Sequence, residues 1–371
     1  MDIFAEITGI KYQKNFPSEL KIINNSDFDI NLISSTCLLS YSERNLSFGI
    51  CKWVSPKRTR SYPYERVYNI LSSSKKISVI PIIKDEGING DRDFIQWDTV
   101  SLMSLLDVYV ILGYYDSATK HKTRQDKITN QKFNSDYINQ KIDEIKNYYS
   151  SALHWNLKEI RESLPNLISQ VKTSYGNISD KLSVQLHDEK GINKFQETIF
   201  KGLNNFMETS RVKSRLAQVR ETQTIQPKEF LGTLSKATIT IKNYLGGLYF
   251  FTVDEVIIID NELYLIESKH SKNSKLPSLS DIKDGLLKMI LYSNLENTQL
   301  DNKFIDKIPV LNLSSDKLFG LIDSAKNNIE EVNKFICQNK LSSKQINIIN
   351  TLFQEANINN FIVKIGGILN D

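Results

Sequence analysis

The sequence predicts an α/β (α+β) fold, a mixed central sheet flanked by helices with an N-terminal β-rich addition. Three observations point that way. Short β-branched and aromatic runs with two-residue alternation occur in the N-terminal third and again after Ala237. Stretches with apolar residues at i, i+3 and i+4 lie between them. Gly (15) and Pro (8) are too few in 371 residues for a fibrous or loop-dominated chain.

The first strands are expected at Ile3–Ile7, Phe28–Leu32 and Leu46–Ile50. Ile77–Ile83 is apolar and β-branched, but Pro81 argues for an edge position or a bulge. Asp98 or Thr99 is placed to cap a helix through Leu106, leading into a strand at Val108–Leu112. Asp116–Asn134 is polar and aperiodic, which suggests a linker, and the expected domains are 1–134 and 135–371. Tyr137, Ile138, Ile142, Ile145, Leu153, Leu157, Ile160 and Leu164 keep helical spacing until Pro165 interrupts it. A second helix is expected from Ile192 through Phe206 and on toward Arg220. A β region then covers Ala237–Lys269, followed by a helix behind Pro277 and Ser278 and a strand at Ile308–Leu313.

Composition excludes several classes. Lys+Arg (47) nearly balance Asp+Glu (43), and 40% hydrophobic content is too high for a disordered chain. No apolar run approaches the ~20 residues of a membrane helix. Met1-Asp2-Ile3 lacks the basic start and apolar stretch of a signal peptide. Cys37, Cys51 and Cys337 are odd in number and lack metal-site spacing. The expectation is a soluble, cytoplasmic protein. No phosphate-binding P-loop, dinucleotide fingerprint or H-E-x-x-H occurs.

Positive charge is concentrated locally. Between Lys52 and Arg66 the only acid is Glu65, and Arg211, Lys213, Arg215 and Arg220 enclose no acid at all.

The chemistry-bearing stretch is Tyr249–Lys269. Two β-rich runs flank Asp260-Asn261-Glu262, which reads as a hairpin over 247–269. With Asp260-Asn261 as the loop, Asp254 faces Glu267; with Asn261-Glu262, it faces Lys269. Opposed residues of an antiparallel pair share a face, as do Glu267 and Lys269 two positions apart. Either register gathers Asp254, Glu267 and Lys269. Two convergent carboxylates suit Mg²⁺, which takes oxygen ligands and keeps several waters. Such an ion lowers the pKa of a bound water and stabilises charge on a phosphate, while a nearby lysine orients the attacking water or neutralises developing charge.

Asp254, followed on the next strand by Glu267-Ser268-Lys269, resembles the D…E-x-K signature of the PD-(D/E)XK nuclease superfamily, which includes most type II restriction endonucleases. The first Pro of that pattern is absent, since Val253 precedes Asp254. The resemblance implies a restriction-endonuclease-like core. Asp254 and Glu267 would then be metal ligands, Lys269 the catalytic lysine, and Mg²⁺ the cofactor. It also implies a further Glu from an upstream helix, for which Glu197 is the first candidate and Glu208 the second.

The expected function is a Mg²⁺-dependent, sequence-specific endonuclease acting on double-stranded DNA. A homodimer suits cleavage of a palindrome, and a cognate DNA methyltransferase would protect the host. Candidate DNA contacts are Arg58 and Arg60, beside Trp53, Tyr62 and Tyr64, then Arg211, Lys213, Arg215 and Arg220, and Lys272 beyond the hairpin. Two alternatives stay open: a structure- or damage-specific nuclease with the same core, and a non-catalytic DNA-binding module. The acids Asp85, Glu86, Asp91 and Asp93 read as a polar loop or a metal site.

Overall fold

The computed structural model describes residues 2–41, 46–56, 63–223, 237–326 and 328–367. It has an α+β fold with mixed sheets. The chain forms two compact units: Met1–Ser18 with Ser214–Asp371, and Glu19–Lys213. This division differs from the one expected after residue 134. The first strand, β1 (Asp2–Ile7), belongs with the C-terminal part of the chain, because it pairs in parallel with a strand beginning at Ala237.

The unit spanning Glu19–Lys213 begins with β2 (Ile22–Asn24), β3 (Thr36–Tyr41) and β4 (Leu46–Lys52). After α1 (Tyr64–Ile70) come β5 (Lys75–Pro81), the small hairpin of β6 (Ile83–Asp85) and β7 (Arg92–Phe94), α2 (Trp97–Leu105) and β8 (Tyr109–Gly113). Its sheet runs β2-β3-β4-β5-β8, so β5 is interior and not at an edge. Pro81 is tolerated because it is the last residue of that strand. The expected strand at 28–32 is absent. There, Asp29 Oδ1 accepts the Asn31 N–H (2.8 Å) and the Leu32 N–H returns to the Asp29 carbonyl (3.0 Å), an aspartate-closed turn that diverts the backbone from a ladder.

The expected linker is instead a hairpin, β9 (Tyr115–Lys120) with β10 (Ile128–Phe133). Its ends are anchored by Tyr115 and Phe133, whose rings lie 4.5 Å apart. The helical stretch that follows is broken earlier than Pro165. α3 (Ser135–Lys146) ends at Asn147, and α4 (Ala152–Lys158) starts afresh on the Ser151 cap. A π turn, Glu159–Ser163, leads into α5 (Leu164–Leu182). Pro165 sits in the first turn of α5, where a missing N–H costs little, so the helix continues through it. α6 (Lys190–Phe200) and α7 (Leu203–Gln223) are separated at Gly202, whose φ of +99° suits glycine. The division between the two units falls within α7.

The remaining elements complete the other unit. β11 (Ala237–Asn243) and β12 (Leu248–Val253) form a hairpin through the Gly246 turn. β13 (Glu255–Ile259) and β14 (Glu262–Ser271) form a second. Then follow α8 (Leu279–Ser293), β15 (Glu296–Leu300), β16 (Lys303–Phe304), β17 (Asp306–Ser315), β18 (Leu321–Asp323), α9 (Ile329–Gln338), α10 (Ser343–Asn359) and β19 (Ile362–Gly366). Two five-stranded sheets result, β12-β11-β1-β15-β16 and β13-β14-β17-β19-β18. In the second, β14, β17 and β19 are parallel, and α8 packs across β14 and β17 over buried Leu263, Leu265, Leu311 and Leu313.

Candidate functional site

The hairpin at the heart of the sequence argument is split. Leu248–Val253 pairs with β11 in one sheet, Glu255–Ile259 pairs with β14 in the other, and Asp254 is the residue between them. A continuous 247–269 hairpin is therefore corrected to two hairpins sharing this corner. The Asp260-Asn261 loop is retained: φ is +51° and +64° at its two residues, the double left-handed geometry of a type I′ turn. Ile259 pairs with Glu262 and Glu255 with Ile266. One step further, Asp254 stands opposite Glu267, and its Oδ2 accepts the Ser268 N–H at 3.0 Å.

Burial makes this corner unusual. Glu267 is 1% exposed at the apolar centre of the sheet, a position a carboxylate occupies only when paired. Its Oε1 lies 2.9 Å from Lys269 Nζ and its Oε2 lies 2.7 Å from Lys288 Nζ. Lys269 Nζ also reaches Asp284 Oδ2 at 2.9 Å. Asp284 and Lys288 are one helical turn apart on α8, so the helix delivers both to the sheet from one side. Gly285 lets it come close. A Cβ there would stand 2.6 Å from Leu311 Cδ1 and 3.7 Å from Lys269 Cε.

The charges shift one another strongly. Burial, and then the neighbouring Glu267 carboxylate, push Asp254 up to about 7. Burial opposes ionisation of Glu267 too, but the Lys269 and Lys288 ammoniums overcome it and hold Glu267 down to about 2. Burial likewise works against the Lys269 ammonium, yet Glu267 and Asp284 raise its pKa above the ordinary lysine value. Lys288 is raised as well, by Glu267 foremost, against its own desolvation. The corner thus holds a firmly charged carboxylate beside one poised near neutrality.

This donor set fits a hard divalent cation. Asp254 and Glu267 are near enough for the Glu267 charge to shift Asp254, and both Glu267 oxygens already serve positive groups. Among the described residues no cluster of three or more His, Cys, Asp or Glu side chains suited to a metal is gathered. A two-carboxylate site that leaves the remaining positions to water and phosphate does not need one.

The other candidates are placed elsewhere. Glu197 is exposed on α6, on the side away from buried Ile192, Phe195 and Ile199, and belongs to the other unit. Glu208 is exposed on α7. Arg211, Lys213, Arg215 and Arg220 all lie on α7. Arg215 is exposed, the Lys213 ammonium lies 5.5 Å from the centre of the Phe94 ring, and the Arg220 side chain is outside the described residues. Arg58, Arg60 and Tyr62 also lie outside them. Their aromatic neighbours Trp53 and Tyr64 are core residues, 1% and 5% exposed, and so do not form a surface for stacking bases. Lys52 and Arg66 are bonded to backbone carbonyls, Lys52 to those of Ile30 and Ile33 and Arg66 to that of Lys52. Lys272 is exposed in the turn after β14. His270 points to the face of β14 opposite Lys269, bonded to Ser314 (2.9 Å) and paired with Asp316 (3.2 Å).

In the acidic stretch after β5, two of the four acids are held by cationic or imidazole side chains and Asp93 accepts from the Ser55 hydroxyl at 3.0 Å. Asp85 pairs with His187 at 2.8 Å, and Glu86 with Lys84 at 2.7 Å and Lys127 at 2.8 Å.

Sequence reasoning missed Asp284 and Lys288. Their signal was an acid and a base four residues apart on a helix that is buried over most of its length beyond the first turn. No protein-family model, curated protein or solved structure matches this chain. Among the described residues, no helix is long and apolar enough to cross a membrane.

Proposed function

We propose that the chain is a Mg²⁺-dependent deoxyribonuclease that hydrolyses phosphodiester bonds of double-stranded DNA, of the sequence-specific, type II restriction kind in the PD-(D/E)XK superfamily. One observation carries this reading. A carboxylate 1% exposed, Glu267, lies beside Asp254 and is bonded to Lys269, all at a sheet corner. A structural ion pair gains little from such burial, whereas phosphoryl chemistry needs this combination of charges.

Asp254 and Glu267 would hold the ion, and a bound Mg²⁺ would supply a water of lowered pKa and a counter-charge for the phosphate. The Lys269 and Lys288 ammoniums overcome burial and keep Glu267 in its charged form, the form that would bind a cation. Asp254, held at about 7, shifts toward its charged form when positive charge arrives. Lys269 keeps its proton, because Glu267 and Asp284 raise its pKa. Its role is therefore to hold a positive charge and donate hydrogen bonds toward a phosphate oxygen or the attacking water, rather than to act as the base. Asp284 steadies the ammonium from the helix side.

A homodimer, a protecting DNA methyltransferase and a cytoplasmic setting accompany this reading. Incubating the protein with a long plasmid and with branched DNA in Mg²⁺ tests it. Discrete plasmid fragments are expected. Cutting confined to branches would point to the structure-specific alternative, and binding without cutting would remove the enzyme.

A further inference from the structure

We infer that Lys288 is the built-in counter-ion of Glu267 in the cation-free protein, and that a divalent cation enters only as Lys288 gives up Glu267 Oε2. The inference rests on the proposal that Asp254 and Glu267 form a cation site.

The acceptor capacity of Glu267 is already taken up. Glu267 is 1% exposed, so water does not serve its oxygens freely, and each oxygen faces an ammonium: Oε1 at 2.9 Å from Lys269 and Oε2 at 2.7 Å from Lys288. A cation bound by Glu267 and Asp254 must take over acceptor capacity now used by a lysine. The two lysines are not equivalent in this respect. Lys269 is shared with Asp284, also at 2.9 Å, which fixes it from the helix side. Lys288 comes from α8 itself, on a flexible four-carbon stem, and among the described residues its ammonium forms an ion pair with Glu267 alone.

Charge arithmetic agrees. Asp254, Glu267 and Asp284 bring three carboxylates, and Lys269 and Lys288 two ammoniums. Expelling Lys288 leaves three carboxylates against one ammonium, which favours a divalent ion. Keeping it sets a penalty that the ion must overcome. Lys288 thereby sets the cation concentration at which the site fills, and cation binding is coupled to a side-chain movement on α8.

The test is calorimetric titration of Mn²⁺ and Mg²⁺ into the DNA-free protein, with Lys288→Met, Lys288→Gln, Lys288→Arg and Asp254→Asn beside the wild type. Lys288→Gln keeps a hydrogen bond to Glu267 without the charge, so it reports even where the methionine variant folds poorly. The expectation is that both neutral variants bind the ion more tightly than wild type, by about tenfold or more, while Lys288→Arg keeps the wild-type threshold. Unchanged or weaker binding in the neutral variants, with wild-type binding still abolished by Asp254→Asn, overturns the role of Lys288 and leaves the cation site standing. If neither wild type nor the neutral variants bind an ion in an Asp254-dependent way, the cation site itself is wrong and the inference falls with it.

Discussion

The Ser268 N–H donates to Asp254 Oδ2 over 3.0 Å, tying the residue at which the chain changes sheets to the middle of the Glu267-Ser268-Lys269 strand. This bond, together with the β13–β14 register, fixes the acid opposite Glu267. Asp254→Ala and Lys269→Ala are therefore expected to abolish DNA cleavage, a loss of at least about 10³-fold, because on the proposed reading Asp254 would hold the metal ion and Lys269 would place a positive charge near the phosphate. DNA affinity in a gel-shift assay should change far less, since phosphate contacts spread over a basic surface dominate it. Full cleavage by either variant sinks the site.

Asp254 also predicts a pH dependence of stability. Its pKa rises from 3.8 unfolded to about 7 folded, so the folded state binds the extra proton between those values. That contribution is fully present below about pH 4 and is lost as pH rises through 7. In divalent-free buffer at pH 8, Asp254→Asn should be more stable than wild type by on the order of 2 kcal/mol, and near pH 4 the difference should vanish. Thermal melts of both proteins across that range read the crossover. Glu267 has the opposite sign, since its depressed pKa gives stability present above about 4.5 and lost as pH falls toward 2.

The turn was legible in the sequence. Asp260-Asn261 between β-rich runs called for positive φ at two positions, and both residues adopt it. The corner at Asp254 was not. Leu248–Val253 and Glu255–Ile259 are both apolar and read as one strand, because nothing local marks a change of pairing partner. Asp284 and Lys288 escaped for a related reason. A helix buried nearly all round has no polar face against which an inward-pointing charge stands out. The placement of β1 beside β11 is a long-range pairing without any local signature. The 116–134 segment was misread because its polar residues are the outward positions of a hairpin whose inward anchors are few.

Since Asn261 has φ of +64°, Asn261→Gly should stabilise the β13–β14 hairpin by about 0.5 kcal/mol, and Asn261→Val should destabilise it by about 1–2 kcal/mol. Slower hydrogen exchange at Val256 and Leu265 in the glycine variant, with cleavage unchanged, is the expected readout. Faster exchange would mean that this loop does not set the register.

Glu355 is fully buried on α10 and holds the segment after β1 in place. Its Oε1 accepts from Tyr12 Oη at 2.6 Å, and its Oε2 accepts the backbone N–H groups of Asn15 (3.0 Å) and Phe16. Four positions on, Asn359 closes a second pair of bonds with the backbone of Gln13, at 2.8 and 2.9 Å. Residues 12–16 thus have no ladder of their own, and Glu355 and Asn359 of one helix bond their backbone, with Gln354 accepting from the Asn15 side chain at 3.1 Å. Glu355→Ala removes three acceptor bonds at once and leaves buried donors unsatisfied, so a loss of about 3 kcal/mol is expected in denaturant unfolding. Glu355→Gln keeps one good acceptor oxygen but turns an NH₂ toward donors, and should lose part of that amount. Limited proteolysis between Lys11 and Lys21 should accelerate in step with the loss. A variant as stable and as resistant as wild type would show that this segment is held by other contacts.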